Sequence, residues 1–325
     1  MKRALMLAAF IAGATACAEA SKSTIEGFVD ASYAYDANAE RGEFGLDQVE
    51  LDLLHAAGDR TSARADLEWV KSGEEFNLAV EQGYLTYKGR GWGFTLGRFN
   101  APIGFELLDA PDMYQYSHAL VFTYALPTNL TGLMVERSLA GGLSALAYAV
   151  NGWDQNAEDN RLATWGGRLG LSRGMLAGGL SIISGREGSE PELDRTVFDI
   201  DLSARPAGWV LGAEVNAGGV KSAGGERQTW VGLLAMAHRD FNTQVGLTVR
   251  YDYLDDKDSF VFGSTVGTTQ TRQAITVAPT LALDEGVGVL LELRIDLSDQ
   301  KAFIDPDGVA KDTQTSLAFE ATCRW

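Results

Sequence analysis

The run VGVLLELRIDLSD, Val287 to Asp299, alternates with a period of two. Val287, Val289, Leu291, Leu293, Ile295 and Leu297 fall on one side; Leu290, Glu292, Arg294, Asp296 and Ser298 fall on the other. Such alternation marks a strand whose two faces see different surroundings. A strand of a soluble sheet averages roughly five or six residues. This one is about twice as long, near the roughly 9–11 residues that a tilted strand needs to cross a bilayer. Its polar face carries charges at mid-strand, which a packed core does not hold and a water-filled interior does.

The pattern repeats. In TQVGLTVRYDYLD, Val245, Leu247, Val249, Tyr251 and Tyr253 oppose Gln244, Thr248, Arg250 and Asp252. In LDQVELDLLH, Val49, Leu51 and Leu53 oppose Gln48, Glu50 and Asp52. In ARADLEWV, Ala63, Ala65, Leu67 and Trp69 oppose Arg64, Asp66 and Glu68. About sixteen such segments can be read, near 24–36, 44–57, 60–71, 76–88, 92–100, 128–138, 142–151, 161–173, 175–185, 195–206, 207–217, 227–239, 241–254, 270–283, 286–298 and 313–325.

Their connections alternate in length. Short ones lie at 89–91, 140–142, 172–174, 206–208, 239–241 and 284–286. Longer acidic or Gly/Ser-rich ones lie at 37–43, 152–160, 186–194, 218–226, 255–269 and 299–312, with SGEE at 72–75 the one short member of that class. The fold read from this is all-β: a transmembrane antiparallel β-barrel of about 16 strands in a bacterial outer membrane, with tight periplasmic turns and long outer loops. An even strand count puts both termini in the periplasm. Tyr87, Trp92, Trp209, Phe241 and Trp325 beside short turns, and Tyr33, Tyr35, Trp69, Trp153, Tyr251 and Tyr253 beside long loops, sit where interfacial girdles belong.

The chain has 325 residues, 46% of them hydrophobic. Lys2 and Arg3, an apolar run over 4–16 and Ala18-Glu19-Ala20 read as a signal peptide, 1–20, cut after Ala20. The rest, 21–325, reads as one barrel domain. Ala14-Thr15-Ala16-Cys17 offers a competing reading, lipid attachment at Cys17, although Ala14 stands where a leucine-like residue is usual. Once Cys17 is removed, Cys323 is the last cysteine and no internal disulfide can form. Asp+Glu 44 against Lys+Arg 27 excludes nucleic acid as a partner, since that needs a basic footprint.

Two places resist the pattern. Pro279 sits mid-strand, where it removes a ladder donor, so a bulge or an edge is expected there. Arg98 shares a face with Phe94 and Leu96, so either the strand bulges or Arg98 snorkels at the rim.

APIGFELLDAPDMYQYSHALVFTYALP, 101–127, is the longest interruption and the third outer loop by count. Its prolines make it irregular, and it is too rich in Phe, Leu, Met and Tyr to stay free in water. Folding into the lumen would bury its apolar part and leave Glu106, Asp109 and Asp112 at a pore constriction. GRFNAPIGFELLDAPDMYQYSHALVFTYALPTNLTGLMV resembles the corresponding segment of the OmpL-like β-barrel porins of bacterial outer membranes. The likeness rests on Gly97, Arg98, Phe99, Pro102, Gly104, Glu106, Tyr116, Ser117, Pro127, Thr131 and Gly132. It departs at His118-Ala119, where an Arg-Ser pair is common, and at Asn129-Leu130, where a His is common. The resemblance covers about a tenth of the chain. It implies a passive porin with an infolded loop and a homotrimer.

With apolar sets toward lipid, the opposite set lines the lumen. Its acids are Glu26, Asp30, Glu50, Asp52, Asp66, Glu68, Asp199, Asp201, Glu214, Asp252, Glu292, Asp296 and Glu320, and its arginines Arg64, Arg168, Arg250, Arg294 and Arg324. A carboxylate-rich wall favours cations. The expectation is a mildly cation-selective, water-filled pore for small hydrophilic solutes. The arginines either face the acidic loop and set a transverse field, or neutralise neighbours such as Asp66, Asp252 and Asp296. A substrate-specific channel and a non-conducting structural or adhesive barrel are the alternatives.

No catalytic set or cofactor site is read. His55, His118 and His238 lie in unrelated segments, with no HExxH, G-x-S-x-G or P-loop. Asp305, Asp307 and Asp312 lack EF-hand order and read as a solvated loop rather than a metal site. The closing stretch TSLAFEATCRW is expected to pair with 24–36 and remove both sheet edges. Its Trp325 stands where the barrel-assembly machinery reads a terminal aromatic.

Overall fold

The structure is a computed structural model that describes residues 21–72, 75–188, 192–263 and 269–325. The signal-peptide reading over 1–20, with Cys17, lies outside the described residues. The barrel strands begin with β1 (Lys22–Asp36), β2 (Arg41–Ala56), β3 (Thr61–Ser72), β4 (Glu75–Gly89) and β5 (Trp92–Asn100). A helix α1 (Leu120–Ala125) lies in the long connection to β6 (Asn129–Ser138). Then come β7 (Leu143–Val150), β8 (Thr164–Arg173), β9 (Leu176–Glu187), β10 (Leu193–Ala204), β11 (Trp209–Ser222) and β12 (Arg227–Asp240). β13 (Val245–Asp256), β14 (Gln270–Asp284) and β15 (Val287–Ser298) follow. A small hairpin, β16 (Phe303–Ile304) with β17 (Ala310–Lys311), precedes the closing strand β18 (Thr313–Arg324).

Each barrel strand pairs antiparallel with its neighbours, and β18 pairs with both β15 and β1 to close a 16-stranded barrel. Closure leaves no edge, which is the condition for a sheet to stand in hydrocarbon. The seam is set by Val29↔Cys323 and Tyr33↔Phe319, and ends in backbone bonds between Gly27 and Trp325, 3.3 Å and 3.1 Å. The two ends of the barrel chain meet at the short-turn rim.

Alternation decides the faces. On β15, Leu291 and Leu293 are exposed outward while Leu290 and Glu292 are buried inward. Outside, Leu180, Phe198, Ile200, Leu202, Leu317 and Phe319 form part of an apolar belt. This surface suits a hydrocarbon solvent and no other.

The register shifts in three ladders, twice at an acidic residue. Ala31 pairs with Leu46 and Asp30 with Gln48, so Asp47 is the extra residue in β2. Leu67 pairs with Val80 and Asp66 with Gln82, so Glu81 is the extra residue in β4. Pro279 turns out differently from the sequence expectation. It faces outward on an interior strand, opposite Leu247, and no register shift occurs there. The β14–β15 ladder skips two pairings, those of Ala278 and Pro279, which absorbs the missing N–H, and the shift lies between Ala282 and Asp284. Arg98 follows the snorkelling option. Its Nε donates to the Glu81 carbonyl at 2.9 Å and its Nη1 to Asn156 Oδ1 at 2.8 Å, at the rim.

Candidate functional site: the lumen and the segment that crosses it

Residues 101–128 join β5 to β6, and their hydrogen bonds run to inward-facing side chains around the wall. The Phe105 N–H donates to Glu214 Oε2 on β11 at 2.7 Å. Arg250 of β13 donates to Glu106 Oε1 at 2.8 Å, and Thr248 donates to the Tyr114 carbonyl at 2.7 Å. The Ser117 N–H donates to Glu292 on β15 at 3.0 Å, and Arg294 donates to the His118 carbonyl at 2.8 Å. On the opposite side the Ala110 N–H reaches Gln48 Oε1 of β2 at 3.3 Å, and the Tyr116 hydroxyl meets Ser32 of β1 at 3.3 Å. At the short-turn end Arg324 pairs with Asp112 at 2.8 Å. The segment is therefore tied to opposite walls.

Its start needs two glycines. Gly104 has a left-handed φ of +87°, a region that favours glycine, and a side chain there would strike Leu126. Gly212 on β11 leaves its surface free for the Phe105 ring, which a Cβ would displace. Beyond these, Ala119, Leu120, Val121 and Ala125 are buried against inward-facing Ile183, Val197, Val220, Trp230, Leu234 and Leu254. On this side, from β9 to β13, the barrel's inner face holds an apolar core, with Asp199, Glu214, Arg250 and Asp252 buried alongside it.

The other side stays open. A cavity of about 460 Å³ is bordered by Tyr116, His118, Arg272, Arg294, Asp296 and Phe303. It shares Tyr116 and His118 with one of about 380 Å³ bordered by Asp30, Asp47, Glu68, Lys71 and Glu320. That in turn shares Ala110, Met113 and Glu320 with a third, of about 220 Å³, that reaches Thr243 and Gln244 in a short turn. The row thus extends from the long-loop end to the short-turn end.

The charges divide by pairing. Arg64 bonds Asp66 at 2.7 Å, Arg168 bonds Asp201, Arg250 bonds Asp252 at 3.0 Å, and Arg294 bonds Asp296 at 2.8 Å. Of the two roles the sequence left open for the arginines, these contacts describe the neutralising of neighbours; Arg250 also meets the loop's Glu106, and Arg324 the loop's Asp112.

Other readings need correction. Asp199, Glu214, Arg250 and Asp252 point inward, but none is more than 2% exposed. They were expected to line a pore; protein covers them instead, because the apolar half of the segment settles on their side. Glu106 was expected at a constriction. Its side chain is 2% exposed and held by Arg250, Gln115 and the Ala119 N–H, so it anchors the segment rather than facing open space. Burial pushes the Glu106 carboxyl up, but Arg250, His118 and the Ala119 N–H outweigh it and hold it below the usual range. Asp109 is the opposite case. Burial, then Glu81, Asp112 and Asp52, push it up to about 7, with Arg64 pulling the other way.

Sequence reasoning missed Glu81 and Asp47, which the bulges turn inward, and Arg195 and Arg272. Arg195 lies over Trp153 at 4.1 Å, and Arg272 over Phe262 at 4.3 Å. These arginines are inward by parity at the long-loop ends of β10 and β14, where loop aromatics cap them. The histidines have separate partners: Ser23 for His55, Glu106 for His118, Thr248 and Asp240 for His238.

Comparison with known proteins agrees with this architecture. The structure is similar to the anion-selective porin of Comamonas acidovorans, with TM-score 0.71 and 15% identity over 94% of this chain and 100% of that one. It is similar to the outer membrane channel DcaP of Acinetobacter baumannii, TM-score 0.73 and 11% identity over 94% and 97%. It is also similar to the trimer form of OmpT, an outer membrane protein of Vibrio cholerae, TM-score 0.68 and 10% identity over 94% and 100%. At these identities the likeness concerns the fold. Among curated proteins none matches. The family described as beta-barrel porin-2, OmpL-like, matches residues 22–324, and the chain belongs to this family of outer-membrane porins.

Proposed function

We propose that the protein is a passive, mildly cation-selective diffusion channel for small hydrophilic solutes, narrowed by the segment 101–127. One observation carries this reading. Among the described residues, the row of cavities beside the segment is bordered by four carboxylates that form no ion pair, Asp30, Asp47, Glu68 and Glu320, against two such cations, Lys71 and Arg272, while the wall's Arg64, Arg168, Arg250 and Arg294 are each matched to a carboxylate. A surplus of fixed negative charge along a narrow aqueous path concentrates cations. Related barrels show that the sign is not fixed by the fold, since the Comamonas porin is described as anion-selective.

Reversal potentials of the refolded protein in a planar bilayer under a KCl gradient test the reading. A cation preference that fades as salt rises is expected; an anion preference would overturn it. A second reading, a substrate-specific channel, draws on the Arg272 guanidinium ringed by Tyr124, Phe262 and Phe303 at the upper cavity. Saturable block by one solute class would favour it, and absence of any conductance would favour a structural or adhesive barrel.

The short-turn rim, where β1 begins and β18 ends, is assigned to the periplasm, and the long loops to the outside. Trp325 is proposed as the residue that the assembly machinery reads. A homotrimer through the apolar outer belt parallels the OmpT trimer form. Nothing in this role calls for catalysis or a cofactor.

A further inference from the structure

Glu50 of β2 is 0% exposed and Glu81 of β4 is 5% exposed, and no donor among the described residues reaches any of their four carboxylate oxygens. Glu81 is the extra residue of its bulge, turned inward beside Glu50. Asp109 arrives from the crossing segment, and its Oδ1 is likewise without a donor. One carboxylate oxygen from each of the three lies within 4.8 Å of the others. Arg64, the nearby guanidinium, is occupied by Asp66 at 2.7 Å and Asp52 at 3.5 Å. Three carboxylates gathered out of water repel strongly unless a positive charge joins them.

We propose that Glu50, Glu81 and Asp109 form a calcium site that fastens the crossing segment to β2 and β4. The donor set is oxygen alone, which selects a hard cation over zinc or copper. Calcium takes about six to eight oxygens at roughly 2.3–2.6 Å in flexible geometry, and three carboxylates supply up to about six. Ligands on such a shell stand at most about 4.6–5.2 Å apart, so oxygens within 4.8 Å of one another are close enough to share one ion. Magnesium wants a tighter octahedron and keeps its waters, so it fits less well. The ion reaches the site through the cavity bordered by Gln48, Glu68, Leu108 and Ala110, which flanks Asp109. Two of the ligands sit on strands and the third on the segment, so the ion ties the segment to β2 and β4, where the Ala110 N–H already reaches Gln48.

The test is calorimetric titration of CaCl₂ into the refolded protein in detergent micelles at neutral pH and fixed ionic strength, with MgCl₂ as the parallel titrant. One saturable calcium site per chain is expected, with Kd on the order of 10⁻⁴–10⁻³ M as in extracellular modules. The melting midpoint should rise with calcium and not with KCl of equal ionic strength. Glu81→Gln and Asp109→Asn should each weaken binding about tenfold or more. Glu320→Gln, a lumen carboxylate outside the cluster, should leave it unchanged. Asp109→Asn alters no ladder residue, so it decides the matter even if Glu81→Gln does not refold. Absence of saturable uptake, with the carboxylates sharing protons instead, overturns the proposal. So does calcium binding of equal strength in wild type and both variants, which would place the ion in the rim loops. Binding is read without conductance, so its failure leaves the channel reading standing.

Discussion

From β9 to β13 the inner wall presents Ile183, Val197, Val220, Trp230, Leu234 and Leu254, and protein lies directly on them. From β15 through β18 and β1 to β3 it presents Arg294, Asp296, Glu320, Asp30 and Glu68, and cavities lie beside them. The two halves share strand length, register rules and an apolar outer belt. They differ in the residues they turn inward and in what covers them. A barrel wall therefore need not have one inner solvent, and the segment from β5 to β6 chooses its side by burying α1 where the wall is apolar. The charged half is left to water by exclusion.

The sharpest way to break this division is Arg250→Ala. It strands buried Glu106 and Asp252 without their cation, at a cost of about 3–5 kcal/mol. Denaturant unfolding should show the loss, and single-channel recordings should show a larger or noisier conductance as the segment loosens. Leu120→Ala attacks the apolar side of the same attachment and should cost about 2–5 kcal/mol, with similar recordings and no change in ion preference.

Acid offers a reversible version. Glu106 faces Arg250 and Asp252 of β13, Glu214 of β11 and His118 of its own segment. Its carboxyl is held below the ordinary 4.5, so its contribution is present above pH 4.5 and disappears as pH falls through the lowered value. Protease protection of the segment should persist down to pH 4.5 and decline below it; loss of protection already at pH 6 would contradict the anchor. Glu320→Gln tests the open half. It should reduce cation preference in reversal potentials while leaving stability nearly unchanged. The smallest effect belongs to Arg324→Ala, whose pair with Asp112 is half exposed and worth about 0–1 kcal/mol.

Much of the barrel was legible because a strand between lipid and a polar interior must alternate. Fifteen residues of β1, or twelve of β15, leave little doubt about period. The bulges were legible too, although they went unread. In FNLAVEQGYLTY the apolar positions are even at Phe76, Leu78 and Val80, then odd at Leu85 and Tyr87. The phase changes at Glu81-Gln82, where the structure inserts its extra residue. Phe44 and Leu46 followed by Val49 and Leu51 give the same slip at Asp47. The sealed half left a different trace. In TWVGLLAMAH both faces of β12 are apolar, Trp230, Leu234 and Met236 inward against Val231 and Leu233 outward. Two-sided apolar strands read as fully buried, and here the cover comes from residues more than a hundred positions earlier. Which acids remain open to water depends on that cover, so alternation within a strand could not sort Glu214 from Glu320.

The seam at Gly27 and Trp325 also governs time. β1 finds one partner, β2, across a tight sequence distance, but its other partner, β18, is the last barrel strand to be made. Closing so long a loop is the slowest kind of contact to form. Until it forms, both β1 and β18 expose a row of unpaired backbone groups. The chain must therefore be kept unfolded or held edge-first by another β-structure during its passage to the membrane, and its assembly cannot be completed piecemeal during synthesis.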